Sequence, residues 1–313
     1  MTTGQTTTTV NLIASQILKW YSDARQCTSA KPLVVGISGP QGCGKTTLVK
    51  MLLSTLASPT HGLNVVAFSM DDLYLTYDEQ TNVAKRYPGN KLVEFRGNPG
   101  THDVELGRNT LKSLIKRHKE YVKCGVEVPT LIPSYNKASH AGLGDQNPMS
   151  EWRKASPPHH IILFEGWALG FKRLPLPDLM RMYHEVDSEM RKHPFEHVRL
   201  INESAEVWEK EWYGFIDAFV HLWCRDVKVV YEWRSEAEHT LRRELNNPNA
   251  GMSDAQVREF VSRFMPFYEI GLPRLTKYGF FGDQDGEMPE ENRGKYLKIE
   301  IDEKRDPVSF EIM

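Results

Sequence analysis

A glycine-rich loop between two apolar segments is the feature that most limits how this chain can fold. Residues 34–52 read VVGISGPQGCGKTTLVKML, and within them the eight residues 39–46 fit the pattern G-x-x-x-x-G-K-[ST]. The run before the loop is apolar enough for a strand buried on both faces, and the segment after it has apolar residues at helical spacing. A phosphate-binding loop requires this strand–loop–helix context. The stretch therefore predicts an α/β domain that binds a phosphorylated ligand.

The residue types in the loop suit a nucleoside triphosphate. Glycines let backbone N–H groups point inward at phosphate oxygens, and the helix N-terminus adds partial positive charge. We expect Lys45 to reach the β- and γ-phosphates of ATP and Thr46 to offer its hydroxyl to Mg²⁺. Cys43 is interpreted as a small residue that fills space in the loop. The alternative interpretation of the whole loop is a glycine-rich turn without a ligand. The predicted nucleotide-binding residues are Gly39, Pro40, Gln41, Gly42, Cys43, Gly44, Lys45, Thr46 and Thr47.

The bulk composition narrows the choice of partner. Lys and Arg number 39 against 41 Asp and Glu, a net charge of −2, so the basic footprint of a nucleic-acid-binding protein is missing. The 4 cysteines form no C-x-x-C pair, which favours reduced thiols in a cytoplasmic protein. No apolar run is long enough to predict a membrane span. We expect a cytoplasmic monomer whose partner is a small molecule.

Apolar runs alternate with helical patterns, which indicates a mainly parallel sheet with helices on both faces. Residues 1–10 are interpreted as a disordered tail, and residues 11–313 as a single domain with a helical insertion at 172–225. Asp103 and Ser253 are predicted to cap the helices that follow them, Ser253 in a capping box with Gln256. Strands are predicted at 32–38, 63–69, 160–166, 227–233 and 295–302. Helices are predicted at 11–26, 46–57, 104–121, 204–223, 235–245 and 252–270.

Two carboxylate sites favour a small-molecule kinase. The segment FSMDDLY places Asp71 and Asp72 just past the second strand, at the edge of an open α/β sheet where ligands bind. An aspartate there could take the proton of a substrate hydroxyl or cap a helix, and adjacent residues could divide the two roles. Glu165 lies at the end of the strand IILFEG. It could be a partner of Mg²⁺ or belong to a structural ion pair. A GTPase is disfavoured, because NKAS at 136–139 lacks the aspartate of N-K-x-D.

With these pieces the chain resembles the uridine kinase, phosphoribulokinase and pantothenate kinase group of P-loop kinases, and within it the D-glycerate 3-kinase family with its fungal ATP-binding members. The resemblance implies a sheet of order 2-3-1-4-5 and a mobile helical lid at 234–266, after the fourth strand. It also implies that Asp71 is the catalytic base, that Glu165 is the acidic residue after the third strand, and that the lid carries Arg234, Arg242 and Arg243. The motifs that carry it are GISGPQGCGKTT, FSMDDLYLTYDEQ, RGNPGTHD, PSYNKASHAGLGDQNP, LFEGWALGF and GMSDAQVREFVSRFMPFYE.

The acceptor implied by the resemblance is D-glycerate, a carboxylate with two hydroxyls. A carboxylate is best met by an arginine fork, and Arg96 in FRGNPGTHD is the first candidate, with loop bracing as the alternative. Tyr135 and Lys137 lie in a loop that borders the acceptor pocket in this family.

That loop departs from the usual family pattern at two positions. It reads Tyr-Asn-Lys-Ala and Gly-Asp-Gln, against the usual Tyr-Asp-Lys-Ser and Gly-Asp-Arg. Because Asn136 and Gln146 lack the charges of the usual residues, the alternative that the protein phosphorylates another metabolite stays open. A catalytically idle ATP-binding regulator is a further alternative, which the intact Lys45, Asp71 and Glu165 disfavour.

Overall fold

A six-stranded sheet organises the computed structural model, which describes residues 3–26, 31–185, 187–247, 250–283 and 285–313. The strands lie in the order β2-β3-β1-β4-β5-β6, the first five parallel and β6 antiparallel to β5. The order 2-3-1-4-5 is therefore present, extended at one edge by an antiparallel strand. The strands are β1 (Leu33–Ser38), β2 (Val65–Ser69), β3 (Ile161–Gly166), β4 (Ala218–Trp223), β5 (Tyr296–Ile301) and β6 (Pro307–Ile312).

Helices pack around this sheet. All six residues of β1 are buried, and since successive side chains point to opposite faces, β1 is covered on both. Asp103 caps α4 by accepting a hydrogen bond from the backbone N–H of Leu106, and Ser253 and Gln256 form the predicted capping box of α8. The helices are α1 (Thr3–Gln26), α2 (Lys45–Leu56), α3 (Tyr77–Arg86), α4 (Val104–Cys124), α5 (Leu176–Tyr183), α6 (Phe195–Glu211), α7 (Val230–Glu244), α8 (Asp254–Ser262) and α9 (Met265–Tyr278).

The fourth strand is not where the sequence predicted it. The run 218–223, assigned to the end of a helix, is β4 and pairs with β1 and β5. The run 227–233, assigned to a strand, is helical, because Asp226 accepts a hydrogen bond from the N–H of Lys228 and opens the turn that leads into α7. Val230 and Trp233 are buried at helical spacing there. The predicted helical insertion 172–225 was therefore too long, since β4 lies within it.

The predicted disordered tail was also wrong for most of its length. Helix α1 begins at Thr3, and Thr9 and Val10 are buried at its inner face. Val10, Ile13 and Ile17 lie on one buried face of the helix. The helix therefore extends towards the N-terminus beyond residue 11, where it was predicted to begin. Residues 1 and 2 lie outside the described residues.

The predicted helix 252–270 is two helices, α8 and α9, with a break at Arg263 and Phe264. Pro266 lies in the first turn of α9 and has no N–H to continue the α8 hydrogen-bond ladder. Within the described ranges, no helix is both long and apolar enough to cross a membrane.

Candidate active site

The glycine-rich loop joins β1 to α2 at the carboxyl end of the central strand. Gly42 and Gly44 have φ of 80° and 93°, in the left-handed region that favours glycine. A Cβ on Gly42 would stand 2.7 Å from the Cβ of Trp233, so only glycine fits against α7 there. No side chain of the described residues caps α2, which leaves the N–H groups of its first turn available to an anion.

The side chains of the loop divide into exposed and buried groups. Lys45 Nζ donates to the carbonyl oxygens of Gly39 at 2.6 Å and Pro40 at 3.0 Å, so the ammonium rests on the rim of the loop. Thr46 and Thr47 are exposed. Cys43 is fully buried, and burial raises the pKa of its thiol, as expected of a small filler. The roles of Lys45 towards phosphate and of Thr46 towards Mg²⁺ stay predictions.

Asp71 and Asp72 have different partners, and the capping role that the sequence left open belongs to Asp72. They lie in a short 3-10 helix, Met70–Leu73, directly after β2. Asp72 accepts a hydrogen bond from the N–H of Ser69 at 3.0 Å and completes a capping box. Asp71 instead accepts from Lys137 Nζ at 2.6 Å and from the Tyr74 hydroxyl at 2.8 Å. Burial alone would raise the pKa of Asp71, but Lys137 and these hydrogen bonds outweigh it and lower the pKa, which favours the ionised carboxylate.

Glu165 stands beside these groups at the end of β3. Burial raises its pKa, with the Lys45 charge opposing and the charges of Asp71 and Asp72 adding to the rise. A divalent cation would relieve this repulsion between carboxylates, and the exposed Thr46 hydroxyl supplies a further oxygen of the kind Mg²⁺ binds. Among the described residues no group of three or more His, Cys, Asp or Glu side chains could hold a metal by itself. Mg²⁺ therefore fits here as an ion shared with substrate phosphates.

The loop 135–146 lies against the 3-10 helix Met70–Leu73, which is called the Asp71 turn below. Its strands, Tyr135–Asn136 and Asp145–Gln146, form a small antiparallel ribbon. The Tyr135 ring packs edge-on against Tyr74 with centroids 5.4 Å apart. Asn136 accepts a hydrogen bond from the N–H of Ala138, and Gln146 donates one to the Tyr74 carbonyl. The two positions that depart from the family pattern therefore brace the loop through their amides.

Arg96 braces the same loop from outside. Its guanidinium donates to the carbonyl oxygens of Gly142 at 2.9 Å, of Leu143, and of Lys137 at 3.3 Å. It also lies 5.5 Å from the centre of the Tyr135 ring. The structure thus shows the loop-bracing role of Arg96, and its contact with an acceptor stays a prediction.

The predicted lid arginines have partners within the lid. Arg234 forms an ion pair with Glu238, whose side chain is 5% exposed and also accepts a hydrogen bond from the N–H of Met252. Arg242 donates to the carbonyl oxygens of Ala250 and Met252, and Arg243 donates to Thr240 Oγ1. The turn predicted as a hinge, 246–251, includes residues 248 and 249, which lie outside the described residues. To bind a phosphate, each of these arginines would have to exchange its present partners for phosphate oxygens.

Sequence reasoning missed two arginines that contact the phosphate loop or the segment around Arg96. Arg305, in the turn between β5 and β6, donates to the Gly42 carbonyl at 2.8 Å and to Glu236 of α7 at 2.7 Å. Its φ of 69° is unusual for a residue with a side chain. Arg263 follows α8 and lies over the rings of Phe95 and Phe260. Arg263 belongs to a motif that the sequence singled out, whereas nothing in the sequence marked Arg305.

Curated relatives match almost the whole chain. It is 40% identical over 293 residues to the chloroplastic D-glycerate 3-kinase of Arabidopsis thaliana, which covers 94% of this chain but 58% of that protein. It is 34% identical over 276 residues to the uncharacterized kinase mug58 of Schizosaccharomyces pombe, covering 85% of this chain and 90% of that protein. The chain belongs to the D-glycerate 3-kinase family. It therefore spans less than two thirds of the Arabidopsis member of this family and nearly all of the fission-yeast relative.

Solved structures agree with this membership. The D-glycerate 3-kinase of Cryptococcus neoformans var. grubii is 29% identical, with a TM-score of 0.83 over 97% of this chain and 99% of that one. The YGR205w protein superimposes with a TM-score of 0.76 at 24% identity over 96% of this chain and 97% of that one, which supports the fold alone. No protein-family profile matches the chain.

Proposed function

We propose that the protein is an ATP-dependent kinase that transfers the γ-phosphate of ATP to a hydroxyl of D-glycerate, with Mg²⁺ as its metal. The observation that carries the proposal is the meeting of the phosphate loop, Glu165 and Asp71 at one edge of the sheet. In the strand register Glu165 pairs with Ile37, which precedes the loop, and with Ser69, which precedes the Asp71 turn. The names of the Arabidopsis and Cryptococcus relatives support glycerate as the acceptor.

The phosphate side of the reaction rests on positioning and charge. The phosphates lie against the N–H groups of Gly42, Gly44 and the first turn of α2, which no side chain of the described residues caps. The Lys45 ammonium leaves the carbonyls of Gly39 and Pro40 for the phosphate oxygens. Thr46 and Glu165 would hold Mg²⁺, which neutralises charge on the phosphates when bound. Because the transferred group passes through a loose transition state, these groups supply most of the catalysis.

The acceptor side centres on Asp71. The acceptor hydroxyl oxygen forms a bond to the γ-phosphorus, the bond from phosphorus to the bridging oxygen breaks, and ADP leaves. The hydroxyl proton passes to Asp71, which is ionised and therefore able to accept it. Lys137 and the Tyr74 hydroxyl hold the carboxylate in place, and Tyr135 and Arg96 support the wall around the acceptor.

The segment 234–266 is the proposed lid. Trp233 packs against Gly42 directly before it, so its first residues begin beside the phosphate loop. Arg234 and Arg242 are proposed to stabilise charge on the transferred phosphoryl group after exchanging Glu238 and the turn carbonyls for phosphate oxygens. The lid thus adds positive charge only when the nucleotide is present.

ADP release across a panel of acceptors tests the proposal. The panel contains D-glycerate, its enantiomer, other hydroxy acids, neutral polyols, sugars and nucleosides, each with ATP and Mg²⁺. We expect D-glycerate to give the highest kcat/KM. A neutral polyol or nucleoside accepted in its place would contradict the glycerate assignment while keeping the kinase. No ADP release with any acceptor, while ATP still binds, would favour an ATP-binding regulator.

A further inference from the structure

Arg263 joins the proposed lid to the loop 96–103. Its guanidinium lies 4.7 Å from the centre of the Phe95 ring and 5.4 Å from that of Phe260. Its backbone carbonyl accepts a hydrogen bond from Asn98 Nδ2 at 2.9 Å. Phe264, the next residue, packs on Trp167 just after the end of β3. Arg263 is therefore held between two aromatic rings where the lid meets the loop that carries Arg96.

Among the residues that the structure describes, none is a counterion within bonding distance of the Arg263 charge. Its Nε is buried without a hydrogen-bond partner, and among the described residues none accepts a hydrogen bond from its guanidinium or forms an ion pair with it. Burial lowers its pKa, Glu259 and Glu94 act in the opposite direction, and the charge of Arg96 lowers it further. A cation in a partly buried place without an acceptor is stabilised by an anion.

The other arginines considered for the site already have hydrogen-bond or ion-pair partners in the protein. Arg96 donates to three backbone carbonyls, Arg234 pairs with Glu238, and Arg242 donates to two carbonyls of its own turn. In the part of the chain that the structure describes, Arg263 alone of these four keeps its guanidinium free of protein acceptors. Its place among aromatic faces leaves the planar fork pre-organised for a carboxylate.

A series of neighbouring residues leads from Arg263 towards the base. Arg263 lies over the Phe95 ring, the next residue, Arg96, lies over Tyr135, and Tyr135 packs on Tyr74. The Tyr74 hydroxyl in turn donates to Asp71. In the other direction the Arg263 and Arg234 guanidinium groups both lie over the Phe260 ring, 5.4 Å and 5.3 Å from its centre. Arg263 is therefore linked through neighbouring side chains to the proposed base and to the proposed phosphoryl-binding arginine.

We propose that Arg263 binds the carboxylate of the acceptor, while Arg96 shapes the loop beside it. The inference rests on the proposed function and names the cation that distinguishes a hydroxy acid from a neutral alcohol. It also places acceptor recognition partly on the lid, because Arg263 lies between α8 and α9.

The test is steady-state kinetics on Arg263→Gln, Arg263→Lys and Arg258→Gln. Arg258 is an exposed arginine of α8, the helix that Arg263 directly follows, so its variant controls for loss of a positive charge from this part of the proposed lid. We expect Arg263→Gln to raise the KM for D-glycerate about 10- to 150-fold, the loss of one charge-assisted pair, and to leave the KM for ATP within about twofold. Arg263→Lys should recover part of the loss, and Arg258→Gln should behave as the unaltered protein.

Three results would overturn the inference. The first is an unchanged KM for D-glycerate in Arg263→Gln, and the second is an equal rise of this KM in Arg258→Gln. The third is a fall in the kcat of Arg263→Gln with both KM values unchanged, which would assign Arg263 to the phosphoryl group. A thermal unfolding midpoint that matches the unaltered protein shows that a raised KM is not a folding defect. Failure of the proposed function looks different, since D-glycerate would then not be phosphorylated by the unaltered protein at all.

Discussion

Adjacent aspartates with different partners allow a sharp test of the chemistry. In Asp71→Asn the amide oxygen can still accept from the Tyr74 hydroxyl, so the side chain keeps its shape and one of its two contacts. It cannot accept a proton at neutral pH, and the charge that faced the Lys137 ammonium at 2.6 Å is gone. We expect kcat to fall by about 10²- to 10⁴-fold, the usual contribution of a general base, which corresponds to about 2.7–5.4 kcal/mol.

Asp72 supplies the matched control. Its carboxylate accepts from the Ser69 N–H at 3.0 Å, a bond that an amide oxygen can replace. Asp72→Asn should therefore leave kcat within about threefold, since no proton transfer is lost. Asp72→Ala should lower the free energy of unfolding by about 0.5–1.5 kcal/mol, because the hydrogen bond from the Ser69 N–H is lost, with little effect on turnover of the folded fraction.

The assay is ADP release at saturating ATP and D-glycerate, with ATP affinity measured separately by equilibrium binding. Affinity for ATP should change by no more than a few-fold in any of the three variants, because neither aspartate belongs to the phosphate loop. If Asp72→Asn loses as much turnover as Asp71→Asn, or if Asp71→Asn turns over normally, the division of roles between base and cap is refuted.

Three further predictions concern the nucleotide and the lid. Lys45→Ala should abolish transfer and weaken ATP binding, and normal turnover would contradict the phosphate-loop assignment. Arg305→Gly should keep the fold, because its φ of 69° suits glycine, yet raise the Kd for ATP several-fold through loss of its contact with the Gly42 carbonyl. An unchanged Kd, or an equal effect of Lys304→Ala, would refute that role. Hydrogen exchange across 234–266 should slow when ATP, Mg²⁺ and D-glycerate are all present, and equal exchange with and without them would count against a lid.

The elements that carry chemistry were predictable because their signals are local. The phosphate loop is one continuous motif between a buried strand and a helix. Asp71 and Glu165 each follow directly on a run of apolar residues, so their place at the carboxyl edge of the sheet follows from strand direction alone. The adjacent pair at 71 and 72 could be divided only by the structure, since the choice depends on which carboxylate turns back to Ser69.

The errors have equally physical causes. The residues 218–223 continue the apolar pattern of the preceding segment, and a short apolar run does not distinguish a strand from the end of a helix. The valines of 227–233 suit a strand by composition, but Asp226 begins a helix immediately before them.

The partners of Arg96 were beyond sequence reasoning for another reason. They are carbonyls of residues 137, 142 and 143, so they depend on the path of a distant loop. The role of Arg305 depends in the same way on the packing of the last turn against the first loop. Such contacts between separate loops leave no periodicity or spacing in the sequence.

The central position of β1 has a consequence for synthesis of the protein. The strand has β3 and β4 as its neighbours, and β3 begins only at Ile161, past half of the chain. About 120 residues separate β1 from β3, so at roughly 5 to 20 residues per second the nascent strand waits roughly 6 to 25 s for its first partner. During that interval LVVGIS and the phosphate loop are exposed together, and a fragment that ends before residue 161 would hold the complete nucleotide motif on a strand without a sheet.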